Sequence, residues 1–225
     1  MNVIVVPARG GSKRIPRKNT RLLNGKPLIC YTLDCIISAN LGIPVYVSTD
    51  DREIFSLVEP YPGIDCIIRP DCLAVDTAST ESVLIHLLDQ ILDSGISPEW
   101  IMTLPPTSPF RSPSSIHRFL SECEDCSNDI DSFMSVTENR GDFWRLSTAA
   151  NKLERLLPDS PRRQQERAPL YEENSAIYLT KTEALRRTGF ILGKGVRGIP
   201  LSYIESFDIN NEEDLRLAGI IAASL

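Results

Sequence analysis

Apolar residues recur along the chain in two alternating rhythms. Short β-branched or aromatic runs have the length and make-up of buried strands: Val3 to Val6, Val45 to Thr49, Cys66 to Ile68, Trp100 to Leu104 and Phe133 to Val136. Between them lie stretches with a helical period. Leu28, Ile29, Leu33, Ile36 and Ile37 follow Pro27, which a first helical turn tolerates, and Asn40-Leu41-Gly42 stops the run. Asp50 or Asp51 caps a helix carrying Ile54, Leu57 and Val58, and Ser79 to Asp93 and Ser114 to Glu124 read as two more. Strand and helix alternating through short connections predict an α/β fold, a doubly wound, mostly parallel sheet covered on both faces with its ligand crevice at the carboxyl ends of the strands. From 138 to about 170 the rhythm breaks into a polar, arginine-rich stretch, read as an inserted segment (138–172) within one domain, 1–225. Ala176 to Leu179, a strand over 196–203 and a helix from Asn211 to Ala223 return the chain to the sheet.

Charge sharpens this picture. The chain has 225 residues, 42% of them hydrophobic, and a net charge of −6, yet residues 1–33 hold seven of its 24 Lys and Arg and none of its 30 Asp and Glu. An acidic protein with one cationic segment argues against a nucleic-acid polymer as partner and for a compact anionic ligand. No apolar run reaches the roughly 18 residues of a membrane span, and the four-residue apolar start is too short for a signal peptide, so the expectation is a cytoplasmic protein with no membrane partner. The six cysteines are expected to be free thiols. Cys123-Glu-Asp-Cys126 stands without a second pair or a nearby His, and His86 and His117 have no catalytic partner in sequence, so all four read as structural.

Four stretches could carry chemistry. The loop Pro7-Ala8-Arg9-Gly10-Gly11-Ser12-Lys13-Arg14-Ile15-Pro16-Arg17-Lys18-Asn19 leaves the first strand, and its paired glycines allow backbone N–H groups to approach an anion. It fits neither GxxxxGK[ST] nor GxGxxG, and a solvated basic loop is the plain alternative. In Arg69 to Glu81, Ser79 or Thr80 suits a helix N-cap. Thr103 to Arg111 is a proline-stiffened turn that puts Thr107, Ser108 and Arg111 at the sheet's ligand edge, where the hydroxyls serve either a ligand or the following helix. Asp208 and Asn210 stand at the entrance to the last helix, as caps or as oxygen ligands.

The basic loop resembles the N-terminal signature of the CMP-sialic acid synthetases (acylneuraminate cytidylyltransferases, with their legionaminate and pseudaminate branches), and later stretches resemble the family's motifs in the same order. The resemblance implies a Rossmann-like nucleotidyltransferase fold and transfer of CMP from CTP to a sialic-type α-keto sugar acid. It makes Arg9, Lys13, Lys18 and Asp208 catalytic, and Ala8, Arg9, Gly10, Ser12, Lys18, Asn19, Arg69 and Thr80 nucleotide-binding. Thr107, Ser108, Tyr178 and Arg163, with Arg162 as the neighbouring alternative, fall to the acidic keto-sugar. Asp208 and Asn210 fall to Mg²⁺, and the inserted segment to a homodimer. Arg14 and Arg17 occupy variable signature positions and read as solvated charge. Three residues depart from the pattern: Pro105 stands for a glutamine, Ser175 for a glycine and Asn210 for a second carboxylate. The departures leave two alternatives open, a nucleotide-binding relative without turnover and an octulosonate-type cytidylyltransferase.

Overall fold

The computed structural model describes residues 1–75, 77–148 and 151–225. Strand β1 (Asn2–Pro7) runs through the sheet's interior, and its apolar run is explained by burial on both sides. Ile4 and Val6 pack into one core layer, Val3 and Val5 into the other, and none of the four is exposed. A two-residue hairpin, β2 (Leu22–Leu23) and β3 (Lys26–Pro27), leads into α1 (Leu28–Ala39), which ends where Asn40 turns left-handed. Next come β4 (Val45–Thr49), α2 (Arg52–Val58), β5 (Ile64–Ile68), α3 (Thr80–Asp93), β6 (Trp100–Thr103), α4 (Pro113–Glu124) and β7 (Ser132–Asn139). The chain closes with β8 (Trp144–Ser147), β9 (Lys152–Arg155), β10 (Leu170–Lys181), α5 (Thr182–Thr188), β11 (Val196–Pro200) and α6 (Glu212–Ser224).

The main sheet has the order β11-β7-β10-β6-β1-β4-β5. Its pairs are parallel except those of β10, which runs antiparallel to β6 and to β7. The fold is therefore the doubly wound, mostly parallel sheet that the alternation predicts, with one reversed strand.

Residues 138–170 are more regular than the polar sequence suggests. The ladder of β7 and β10 continues outward as far as the pair Asn139 and Leu170, and β8 and β9 form a hairpin beyond it. Asp142 knits the base of this excursion by accepting from Arg155 Nε at 2.7 Å and pairing with Arg167 at 3.4 Å. Both arginines are about one-tenth exposed, so here charge pairing does the work of a small core.

Candidate active site

Three carboxyl-end loops converge beside β1. Ala8 extends the ladder, donating its N–H to the Ser48 carbonyl at 2.9 Å, and is fully buried, so it shapes the loop and cannot touch a ligand with its side chain. The Gly10 N–H donates to the Asp50 carboxylate at 3.1 Å, so this amide is already engaged. Glycine is required there for a different reason. A Cβ on Gly10 would lie 2.4 Å from Asp51 Oδ2, and the other oxygen of that carboxylate caps α2 by accepting from the Glu53 and Ile54 amides.

The loop's cations turn into an open cavity of about 460 Å³. Arg9, Lys13, Arg14, Lys18 and Arg69 line it, and among the described residues no carboxylate does. Ser12 and Asn19 add polar atoms, and Leu73, Val75, Val83, Pro105 and Pro106 give it an apolar side. The N-terminus of α3 opens on it through Ala78, Ser79 and Thr80. Ser79 proves to be the cap, accepting from the Ser82 amide at 3.1 Å, which leaves Thr80 to the cavity. Five cations and a helix N-terminus favour a polyanion, and the apolar side suits a flat ring.

Several of these groups are held before any ligand arrives. Arg69 is 5% exposed and donates to the Ser48 carbonyl at 2.6 Å; burial lowers its pKa, with Asp50 opposing and Arg9 reinforcing the shift. Asn19 donates to the Arg9 carbonyl at 2.9 Å and keeps a buried Oδ1 without a partner. Lys18 donates to the Ile209 carbonyl at 2.9 Å, joining the first loop to the last one. Burial lowers the Lys18 pKa; Asp208 pulls it back up, and Arg14 and Arg9 push it further down.

Asp208 belongs to a second cavity, of about 350 Å³, whose wall includes Glu172, Glu173, Asn174, Ser175, Ser206 and Asn210. Three carboxylates and no cation line it among the described residues. Its frame is an irregularity in β10, where pairing with β7 shifts register between Glu173 and Tyr178 and Ser175 takes a φ of 59°. Asn174 fills the gap. It accepts from Ser135 Oγ and the Ala176 amide, and donates to Thr137 Oγ1 at 3.0 Å and Ser206 Oγ at 2.9 Å.

Residues 3–215 match the model of the family described as Cytidylyltransferase. The chain belongs to the cytidylyltransferase family. It is 28% identical over 214 residues to the CMP-N,N'-diacetyllegionaminic acid synthase of Legionella pneumophila, covering 95% of this chain and 92% of that one. It is 29% identical over 217 residues to an N-acylneuraminate cytidylyltransferase of Streptococcus agalactiae, but spans only 51% of that relative's length against 94% of its own. A CMP:2-keto-3-deoxy-manno-octonic acid synthetase solved with CTP superposes with a TM-score of 0.72 over 100% of this chain and 99% of that one. At 17% identity, that likeness speaks for the fold alone.

Among this cytidylyltransferase's expected site residues, Arg9, Ser12, Lys13, Lys18, Asn19, Arg69, Thr80 and Thr107 are gathered on the cationic cavity, and Asp208 and Asn210 on the acidic one. Four others lie elsewhere, for physical reasons. Ser108 is fully buried behind its turn. Arg111 is 5% exposed and directed inward, donating to the Pro105 and Ala176 carbonyls at 2.8 Å each and to Thr32 Oγ1, so it braces the edge it was expected to decorate. Its burial lowers its pKa to about 10. Tyr178 stands behind the acidic wall: its hydroxyl donates to Glu173 at 2.5 Å and lies 3.0 Å from Ser175 Oγ, and burial followed by that carboxylate raises its pKa. Arg163 is exposed on the excursion, paired with Glu166 at 3.3 Å, and Arg162 lies over the Trp144 ring; neither lines a cavity of its own chain. Conversely, Arg14 lines the nucleotide-sized cavity, while Arg17 pairs with Glu53.

The donor set for Mg²⁺ is sparse. No cluster of three or more His, Cys, Asp or Glu able to hold a metal occurs among the described residues. Asp208 Oδ2 accepts from Asn210 Nδ2 at 2.6 Å, whereas its Oδ1 is buried without a partner. Neither residue caps α6, because Asn211 does so within a capping box. One open carboxylate oxygen fits an ion that takes most of its ligands from phosphate and water, the usual state of Mg²⁺ at a nucleotide.

Proposed function

We propose that this protein activates a sialic-type α-keto sugar acid with CTP, yielding the CMP-sugar and pyrophosphate. The observation that carries the reading is the five-cation cavity meeting an acidic cavity where Lys18 faces Asp208. The triphosphate lies against Arg9, Lys13 and Lys18, and the base against the apolar side near Leu73 and Val83. The anomeric hydroxyl oxygen attacks the α-phosphorus, the bond from that phosphorus to the bridging oxygen breaks, and pyrophosphate leaves with both electrons of that bond. Positive side chains fixed in advance stabilise the charge that develops on the departing group. Asp208 would hold a Mg²⁺ through Oδ1, and the ion supplies further neutralisation of that charge.

The acidic cavity offers the acceptor's carboxylate no cation from the same chain, which supports a homodimer in which the excursion supplies one. The exposed apolar residues Trp144, Leu146, Leu153, Leu156 and Tyr171 on and beside the β8–β9 hairpin suit such a contact, and Arg163 rides on it. Six free cysteines suit a reducing compartment such as the cytoplasm, and among the described residues no helix is long and apolar enough to cross a membrane. Pyrophosphate release assayed with CTP, Mg²⁺ and a panel of sialic, legionaminic, pseudaminic and octulosonic acids tests the reading. Release is expected only with all three components and a nine-carbon acid; CTP binding without release across the panel would mark a nucleotide-binding relative instead.

A further inference from the structure

Glu205 lines neither cavity, yet its carboxylate bridges two site segments. Oε1 accepts from the Ser112 amide at 3.2 Å, Ser112 Oγ at 2.6 Å and Ser115 Oγ at 2.5 Å, all at the N-terminus of α4. Oε2 accepts from the Ser202 amide at 3.4 Å and Ser202 Oγ at 2.9 Å, within its own turn. Both oxygens are thus committed, and a charge at the start of a helix is favourably placed. Burial pushes the carboxyl pKa up, but the hydrogen bonds from Ser112, Ser115 and Ser202 outweigh it and hold the group below the ordinary value.

The two segments so joined are the ones that build the site. Ser112 directly follows Arg111, whose guanidinium fixes the Pro105 turn, and Asp208 lies three residues beyond Glu205. A second tie, from the Ile209 amide to the Thr107 carbonyl at 2.9 Å, closes the far side. Asp208 sits between the two ties with one carboxylate oxygen held by Asn210 and the other free of protein contacts. Its direction is therefore set by the backbone of residues 202–210, and that backbone is set by what grips its ends.

We infer that Glu205 is a positioning residue for nucleotidyl transfer, locking residues 202–210 onto the start of α4 so that Asp208 Oδ1 faces the nucleotide across from Lys18. The inference rests on the cytidylyltransferase reading above. An amide in place of the carboxylate would turn one acceptor into a donor facing the serine donors. Two of the five bonds at least would be lost while side-chain volume is kept.

The test compares Glu205→Gln and Glu205→Asp with the unmodified protein, below the melting temperature of each. Amide hydrogen exchange is read residue by residue, and kcat, the KM for CTP and the half-saturating Mg²⁺ concentration are measured where turnover is present. In Glu205→Gln the Ile209 and Asn210 amides are expected to exchange about tenfold faster while the β1 amides do not change. Half-saturating Mg²⁺ should rise severalfold and kcat fall about tenfold, with the KM for CTP changed by less than about twofold. Glu205→Asp, which keeps the charge, should recover part of each loss. Unchanged exchange at Ile209 and unchanged Mg²⁺ dependence, or a rise in exchange uniform across the chain, overturns the inference. Should the unmodified protein turn over no sugar acid, the functional reading fails separately, and the exchange data still decide whether the clamp exists.

Discussion

The two cavities adjoin at one sheet edge and are built in opposite ways. The cationic one is walled by loops leaving buried strands, and its charged groups are held beforehand: Arg69 on the Ser48 carbonyl, Lys18 on the Ile209 carbonyl and Asn19 on the Arg9 carbonyl. The acidic one is walled by a register shift in β10 and by residues 202–210, which have no regular structure, and Tyr203 at its rim is 77% exposed. A cavity whose cations are already desolvated and oriented needs little reorganisation to receive phosphates. A cavity with three carboxylates and no cation needs opposite charge from elsewhere, from an ion, a substrate or a neighbouring subunit. The nucleotide side is therefore complete in one chain, and the acceptor side is not.

The sharpest way to separate the two is to remove the group where they meet. Asp208→Ala should lower kcat by about a thousandfold, because the acidic cavity then offers nothing at the phosphates, while CTP binding measured by calorimetry weakens by less than about tenfold. Equal losses in both would mean that the cavities do not divide the work. Lys18→Met probes the cationic side, and one charge-assisted contact there is worth about 1.5–3 kcal/mol, or one to two orders of magnitude in CTP affinity. The pH dependence carries a sign as well. Burial lowers the Lys18 pKa against the pull of Asp208, so the lysine loses its proton at lower pH than an ordinary lysine. CTP affinity of the unmodified protein should begin to fall before the ordinary lysine range near about 10.4, and Lys18→Met should lack that limb. Gly10→Ala touches neither charge set. It drives a methyl group into Asp51, and thermal or urea unfolding should show a loss of about 1–3 kcal/mol, with CTP affinity reduced less than by Lys18→Met.

The contrast also marks what could be read before the structure. Everything on the cationic side follows from local pattern: Val3 to Val6 announce a strand, the cations after it are consecutive in sequence, and Ser79 is a recognisable cap. Arg14 was the exception there, since nothing local separates a cation turned inward from one turned out, as Arg17 is. The acidic side depends on contacts between residues far apart. Asn174 reaching Ser135 and Ser206, Glu205 reaching Ser112, and Arg111 reaching Ala176 leave no periodic trace. The β8–β9 hairpin was hidden for a related reason. Its base is held by Asp142 with Arg155 and Arg167, so its sequence looks polar where a strand pair usually looks apolar. The reversal of β10 was equally invisible, because a fully buried strand shows the same apolar run in either direction.

A crystal structure with CTP bound tests most directly where the nucleotide lies. The triphosphate should contact Arg9 and Lys18, with the base against Leu73 and Val83 and Asp208 Oδ1 turned toward the phosphates. A nucleotide bound away from this carboxyl edge, with Arg9 and Lys18 untouched, would contradict the assignment.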